Sequence, residues 1–338
     1  MKYFLGRIQR FDSNPANAKY RNALIGVLAV FLIVVPLLGA SQYILRVSGN
    51  IFIYGMLALS LNIITGYAGQ VSMGHSAFMA VGAYTYASLT SRLSWAFFPA
   101  LLAAMVVSGI AGFLLGVPTL RLSGAYFVVA TTGFSEVIKV IAQNWKAVTN
   151  GTLGIKSIHR PSIFGVQLTN ANGGIYWFIL FFLALTIFIC YAIKQSKMGR
   201  ALIAIKDDPL AARYMGINTS REKVIAFVIS SVIAGVAGVF YAILSSFIEP
   251  RTFTADMSTV VLCIVIFGGM GSIPGMLVGA TLLILFPEVL RSLSAYRFIV
   301  YGIILIVMMR FRPQGILGGL SSKPYKLPKD VVLEMERR

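Results

Sequence analysis

Residues 47–91 read VSGNIFIYGMLALSLNIITGYAGQVSMGHSAFMAVGAYTYASLTS, bounded by Arg46 and Arg92, with no Asp, Glu, Lys or Arg between them. A helix needs about 20 apolar residues to cross a bilayer, so this stretch is long enough to cross twice. Its centre, GYAGQVSMGHSAF at 66–78, is where a smooth helix is least expected. Gly66, Gly69 and Gly74 free the backbone there, and Gln70, Ser72, His75 and Ser76 are polar amid apolar flanks. Backbone groups freed at membrane depth must be satisfied by neighbouring protein or by a wet cavity. Broken helices of this kind often line substrate sites in transporters, although glycines also serve simple close packing. His75 alone proves nothing, since a single histidine on an apolar helix is more often hydrogen-bonded than used as a ligand or relay.

The rest of the chain repeats the pattern. Of 338 residues, 57% are apolar and 12% charged, and the mean hydropathy is +0.81, which excludes an ordinary soluble domain and a disordered chain. Further charge-free runs occupy 22–45, 93–120, 161–193, 224–248 and 257–287. The expected fold is an all-α polytopic integral membrane protein with about ten transmembrane helices, some discontinuous. They are placed near 23–42, 47–65, 70–90, 96–117, 122–143, 174–193, 224–247, 257–272, 275–290 and 295–310. A second break, IFGGMGSIPGMLVGA at 266–280, sets Gly271, Gly275 and Gly279 at i, i+4 spacing on one helix face, with Pro274 removing a donor.

The net charge of +18 would suggest a nucleic-acid binder in a soluble chain, but here the aromatics fall inside the apolar runs, so nucleic acid is rejected as a partner. Basic residues between apolar segments instead set orientation and meet anionic lipid. Residues 1–22 hold five Lys and Arg, 194–223 hold seven, and the segment from Arg310 onward holds seven, together 19 of 29. Ten spans put all three regions on the cytoplasmic side. The organisation expected is a cytoplasmic tail at 1–22, a membrane domain at 23–310 and a cytoplasmic tail at 311–338. An extracytoplasmic loop at about 144–173 and a cytoplasmic loop at about 194–223 interrupt the membrane domain; Lys146, Lys156 and Arg160 in the outer loop are a counter-signal. No small-residue cleavage site follows the apolar run 23–40, which is expected to be retained.

Cys190 and Cys263 lie in separate apolar runs without metal-ligand companions, so they read as apolar fillers and no metal site is expected. Charges within apolar segments are costly. Glu136 with Lys139 and Glu288 with Arg291, each at i, i+3, are expected to pair structurally, the first near the outer end of its span. No lysine follows a glycine, which removes a GxxxxGK[ST] phosphate loop, and HExxH and GxSxG are missing. A non-catalytic pore subunit driven by a partner fits better than an enzyme. The rival of another class is a self-sufficient secondary transporter or channel, whose ion-coupling candidates would be Glu136, Lys139 and Glu288.

The segment SKMGRALIAIKDDPLAARYMGI at 196–217 is too polar to span and carries its own helix punctuation. Asp208 suits the N-cap, Pro209 the first helical position, and Gly216 the left-handed residue past the end. Barely two turns lie between, so contacts must hold the helix, and Ala211, Ala212 and Met215 offer small apolar positions for docking on a partner or on the chain itself.

On these residues the chain resembles the LivM-type permease subunit of ABC importers for branched-chain amino acids. The similar stretches are GYAGQVSMGHSAF at 66–78, LRLSGAYFVVATTGF at 120–134, MGRALIAIKDDPLAARYMGI at 198–217, FGGMGSIPG at 267–275 and FRPQGILG at 311–318. The resemblance implies a short cytoplasmic coupling helix like the EAA motif, with Ala211, Ala212 and Gly216 in place, Leu210 where an acid is expected, and Asp207 and Asp208 just upstream. It further implies a second homologous permease subunit, two cytoplasmic ATPase subunits that bind the ATP and Mg, and an extracytoplasmic solute-binding protein. No cofactor is expected in this chain, which would sit in a bacterial or archaeal inner membrane. An apolar pathway suits Leu, Ile or Val, with Tyr67, Gln70, Ser72, Thr131 and Thr132 as its candidate residues. Related importers for urea, short amides or aromatic acids fit the same residues.

Overall fold

A computed structural model describes residues 41–119, 122, 124–163, 166–167, 173–289, 299, 301–303, 306, 310 and 315–317. Nearly all of the expected first span at 23–42, most of the last at 295–310, Arg291 and nearly all of both tails lie outside the described residues. Six helical segments are long and apolar enough to cross a membrane: Gln42–Tyr67, Phe97–Thr119, Ala125–Asn144, Gly174–Gln195, Thr219–Ser245 and Pro250–Gly268. The expected count of about ten is therefore not reached among the described residues.

In chain order the helices are α1 (Gln42–Asn62), α2 (His75–Arg92), α3 (Phe97–Thr119), α4 (Ala125–Asn144) and α5 (Gly174–Gln195). They continue as α6 (Lys197–Asp207), α7 (Pro209–Tyr214), α8 (Thr219–Ser245), α9 (Ala255–Gly268) and α10 (Ile273–Val289). Helix α8 is the bundle's axis, and every residue from Ile233 to Phe240 is buried. Small residues let neighbours approach it backbone to backbone, the usual means of packing helices where lipid removes the hydrophobic drive. A Cβ at Gly82 of α2 would stand 2.2 Å from the carbonyl oxygen of Gly235, and one at Gly238 would stand 2.0 Å from that of Met79. At one flank the Phe182 and Phe240 rings meet at 4.7 Å and those of Phe97 and Phe178 at 4.9 Å.

The outside of the bundle is apolar. Leu102, Val106, Ile110, Phe113 and Val117 stand exposed along α3, a stripe that only lipid or another apolar chain solvates well. Two departures from the expected spans matter. Helix α2 starts at His75 and not near 70, leaving 68–74 without helix, and α9 stops at Gly268, so that Gly271 lies in a turn and only Gly275 and Gly279 share the α10 face. There a Cβ at Gly275 would meet the Gly268 carbonyl oxygen at 2.1 Å, which makes α9 and α10 a tight hairpin.

The connection between α4 and α5 is tied down. Tyr86 donates to the carbonyl of His159 at 3.1 Å, Ser88 to that of Val148 at 2.9 Å, and β1 (Ile155–Lys156) pairs antiparallel with Phe247–Ile248. It is a fixed surface at that end of the bundle, with Trp145 and Leu153 exposed.

Candidate functional site

The site is built from the two interrupted helices. Helix α1 unwinds into a wider π-helical turn at Ile63–Tyr67, and Gly69, at φ +72°, turns the chain away. Several of the polar groups released find partners in the bundle, while the buried Tyr67 hydroxyl makes no hydrogen bond among the described residues. Thr65 donates its hydroxyl to the Gln70 carbonyl at 3.1 Å, and the Gln70 amide donates to that of Ile64 at 3.2 Å. Helix α4 takes the next residue on both sides: Thr131 Oγ1 accepts from the Met73 amide at 3.0 Å, and Ser135 donates to the Met73 carbonyl at 3.0 Å. Ser72 Oγ accepts from the Gly74 amide at 3.2 Å.

Helix α2 begins inside the bundle, where the orphan amides of a first turn need acceptors. Ser258 of α9 supplies one, its Oγ accepting from the Ser76 amide at 3.0 Å while its own hydrogen goes to Ser76 Oγ at 2.8 Å. His75 Nε2 lies 2.9 Å from Ser230 Oγ, whose single hydrogen is donated to the Ser60 carbonyl at 2.7 Å. The imidazole hydrogen must therefore sit on Nε2 and be donated to Ser230, leaving Nδ1 as a bare acceptor. This wholly buried histidine is a hydrogen-bonded strut between α2, α8 and α1.

The second break folds directly onto the first. Gly269 and Gly271 adopt φ of +103° and +87°, and the Gly271 amide donates to Asn62 Oδ1 at 2.7 Å. Gly66 has no room for a side chain: a Cβ would stand 2.0 Å from Asn62 Oδ1 and 2.7 Å from the Gly271 nitrogen. Two lysines then close the exposed carbonyls. Lys206 Nζ donates to Gly66 at 2.9 Å, and Lys194 Nζ donates to Gly271 at 3.3 Å. Residues 316 and 317 finish the end of α9, with their amides on the carbonyls of Phe267 at 3.0 Å and Gly268 at 3.2 Å.

Lys206 belongs to α6, a helix that had not been expected within 196–217. It is capped by Ser196, whose Oγ accepts from the Gly199 amide at 3.2 Å, and it buries Gly199, Leu202 and Ile205. Helix α7 follows at once. Asp208 Oδ1 accepts from the amides of Leu210 at 2.8 Å and Ala211 at 3.0 Å, with Pro209 first in the helix. Gly216 at φ +83° closes it in a Schellman pattern, Ile217 N–H to the Ala212 carbonyl at 3.1 Å and Gly216 N–H to that of Arg213 at 3.0 Å. Ala212 is buried at 4% exposure, whereas Tyr214 and Met215 are 83% and 82% exposed. The apolar positions thus divide: Ala212 holds α7 to its own chain, while Leu210, Ala211, Tyr214 and Met215 face outward with Asp207 and Asp208.

The remaining pathway candidates are distributed differently from one open wall. Tyr67, Ser72 and Thr131 are buried, the last two spent on the backbone of 72–74; Gln70 and Thr132 are half-buried, with the Thr132 hydroxyl on the Val128 carbonyl at 2.8 Å. Pro274 is second in α10, where its missing amide costs no helix bond. Glu136 and Lys139 form an ion pair, nearer the middle of α4 than its end, and Glu288 receives a hydrogen bond from the Tyr43 hydroxyl. Sequence reasoning missed Asn62, Lys194, Lys206, Ser135 and Ser258. The lysines had been absorbed into the orientation count, and nothing periodic marks the others. Among the described residues no group of three or more His, Cys, Asp or Glu could hold a metal ion.

A bundle of apolar helices, two of them interrupted, with the first break bonded to α6 and α6 joined to a short helix with a bare outer face, defines a multi-pass membrane protein of the permease class. The chain belongs to the family described as branched-chain amino acid transport system / permease component, which matches residues 43–309. It is similar to the high-affinity branched-chain amino acid transport system permease protein LivM of Salmonella typhimurium strain LT2, with 35% identity over 287 residues, 78% of this chain and 68% of that protein. LivM of Escherichia coli K12 is 34% identical over the same shares, and LivH of Salmonella typhimurium is 28% identical over 78% of this chain and 91% of its own. No solved structure matches.

Proposed function

We propose that this chain is the transmembrane permease subunit of an ATP-driven importer for branched-chain amino acids, and that α7 is where the motor grips it. The observation that carries the reading is the exposed face of Leu210, Tyr214 and Met215 on a capped helix, directly joined to α6, whose Lys206 is bonded to the first break. The Asp208 cap, the Gly216 stop and buried Ala212 hold this six-residue helix on its own chain, which leaves the outward face free for an occupant.

In this reading the partners are a second homologous permease subunit, two cytoplasmic ATPase subunits and an extracytoplasmic solute-binding protein. ATP and Mg belong to the ATPases, and this chain catalyses nothing itself. The membrane is the inner membrane of a bacterium or archaeon, with both termini and α6–α7 in the cytoplasm, and the connection 145–173 outside, facing the binding protein. Lipid covers the α3 stripe. Closure of the ATPase pair displaces α7, and α6 carries the motion to Gly66 through Lys206, while Lys194 holds Gly271 beside it. The ends of α1 and α9 then move as one body, and nucleotide and loaded binding protein bias the same two-state gate. Gln70 and Thr132 line the pathway beside the break, and Tyr67, Ser72 and Thr131 hold its wall.

The test is Gly216→Val in the reconstituted complex. A β-branched residue at φ +83° strains the end of α7 while meeting no neighbour within 4 Å. Uptake should fall while assembly and uncoupled ATP hydrolysis persist. Normal uptake with normal stimulated hydrolysis would overturn the coupling assignment, and gradient-driven uptake by the chain alone in liposomes would overturn the importer reading.

A further inference from the structure

Glu136 is the deepest charge in the described spans. It stands eight residues before Asn144, the last residue of α4, or about 12 Å along the helix. Its carboxylate pairs with Lys139, yet 44% of the Glu136 side chain and 21% of that of Lys139 remain exposed. A carboxylate bared at that depth does not face acyl chains; it faces water or another protein. Another face of α4 is already spent, with Thr131 and Ser135 committed to Met73.

The surroundings of the pair have a definite shape. One turn earlier, on the same face, Gly133 has nothing within 4 Å of where a Cβ would sit, so the helix surface beside the carboxylate is open. Val129 and Val140, at i−7 and i+4 from Glu136, are exposed above and below it. An acid, a base, an open glycine position and two aliphatic flanks are the complement of a small zwitterion with an alkyl side chain.

We propose that this face of α4 is a pathway subsite for the zwitterionic head of an aliphatic α-amino acid. Glu136 receives the α-ammonium, Lys139 receives the α-carboxylate, and the alkyl group lies at Gly133 between the valines. The exchange opens one ion pair and makes two, so no charge is left without a partner at depth. The proposal rests on the permease reading, in which a second permease subunit closes the other side of the pathway.

The experiment uses the complete complex in liposomes with L-leucine as probe. Glu136→Gln and Lys139→Gln should each lower ATP-dependent uptake by about ten-fold or more, the usual effect of removing one partner of a charged hydrogen bond, with assembly and leucine affinity of the binding protein unchanged. In a Cys190→Ala/Cys263→Ala background, Val140→Cys, which keeps both the acid and the base, should react with a membrane-impermeant thiosulfonate, and leucine with ATP should slow the reaction. Uptake within about two-fold of wild type in both glutamine variants would overturn the proposal. So would an inert introduced thiol, or labelling that leucine does not slow. Absence of ATP-dependent uptake in the wild-type complex would instead sink the permease reading, and the labelling would still decide whether this face is wet.

Discussion

Gly66→Ala tests whether the two breaks are one structural unit. The added Cβ would stand 2.0 Å from Asn62 Oδ1 and 2.7 Å from the Gly271 nitrogen, so the carboxamide must leave. It then abandons the Gly271 amide that it accepts from at 2.7 Å. An amide left without an acceptor costs about 1–3 kcal/mol. Forcing a carbon into a filled site adds about 1–3 kcal/mol, against a helix-propensity gain of at most about 1 kcal/mol. The sum is a loss of about 1 kcal/mol or more, and for a chain of 338 residues each kcal/mol corresponds to a melting temperature lower by about 1.4 °C. The assay is thermal unfolding of the purified chain in detergent, with Gly133→Ala as the control. That glycine has open space around it, so the same substitution there should leave stability unchanged or slightly raised. Equal stability of Gly66→Ala and wild type would refute the packing argument.

Two further perturbations separate the parts of the site. Lys206→Met keeps the aliphatic stem that lies against Gly69 but removes the ammonium bonded to Gly66, so stability should change by about 1 kcal/mol or less, while uptake per ATP hydrolysed falls in the reconstituted complex. An unchanged ratio would show that α6 does not carry the motion through this bond. Ser258→Ala strands the Ser76 amide and hydroxyl inside the bundle and should destabilise the chain by about 1–3 kcal/mol in denaturant unfolding, which an unshifted midpoint would contradict.

What was legible before any coordinates was local. Helix α7 is the clearest case, because an acceptor at Asp208, a ring at Pro209 and a left-handed glycine at Gly216 act on residues within one or two turns of themselves. The spans were legible for a similar reason: long apolar runs are solvated by lipid wherever they stand, and eight described helices begin and end within several residues of the expected bounds. The interruption at 66–78 was legible as a weakness in α1, through its glycines and polar side chains.

What satisfies that weakness was not legible. Asn62 meets Gly271 across 209 residues, Ser76 meets Ser258 across 182, and Lys206 meets Gly66 across 140. A lysine in a basic loop looks the same to a charge count whether it faces lipid headgroups or plugs a carbonyl. The split of α7 into Ala212 inward and Met215 outward likewise depends on which side of a two-turn helix the bundle lies. Composition and local backbone chemistry therefore determined that this chain crosses a membrane, that it breaks near 66 and 270, and that a capped helix stands at 209–214. Tertiary structure alone decided that the two breaks are one junction and that α6 is fastened to it. Orphan backbone groups take whichever donor or acceptor the packed bundle brings within reach, and that choice leaves no period in the sequence.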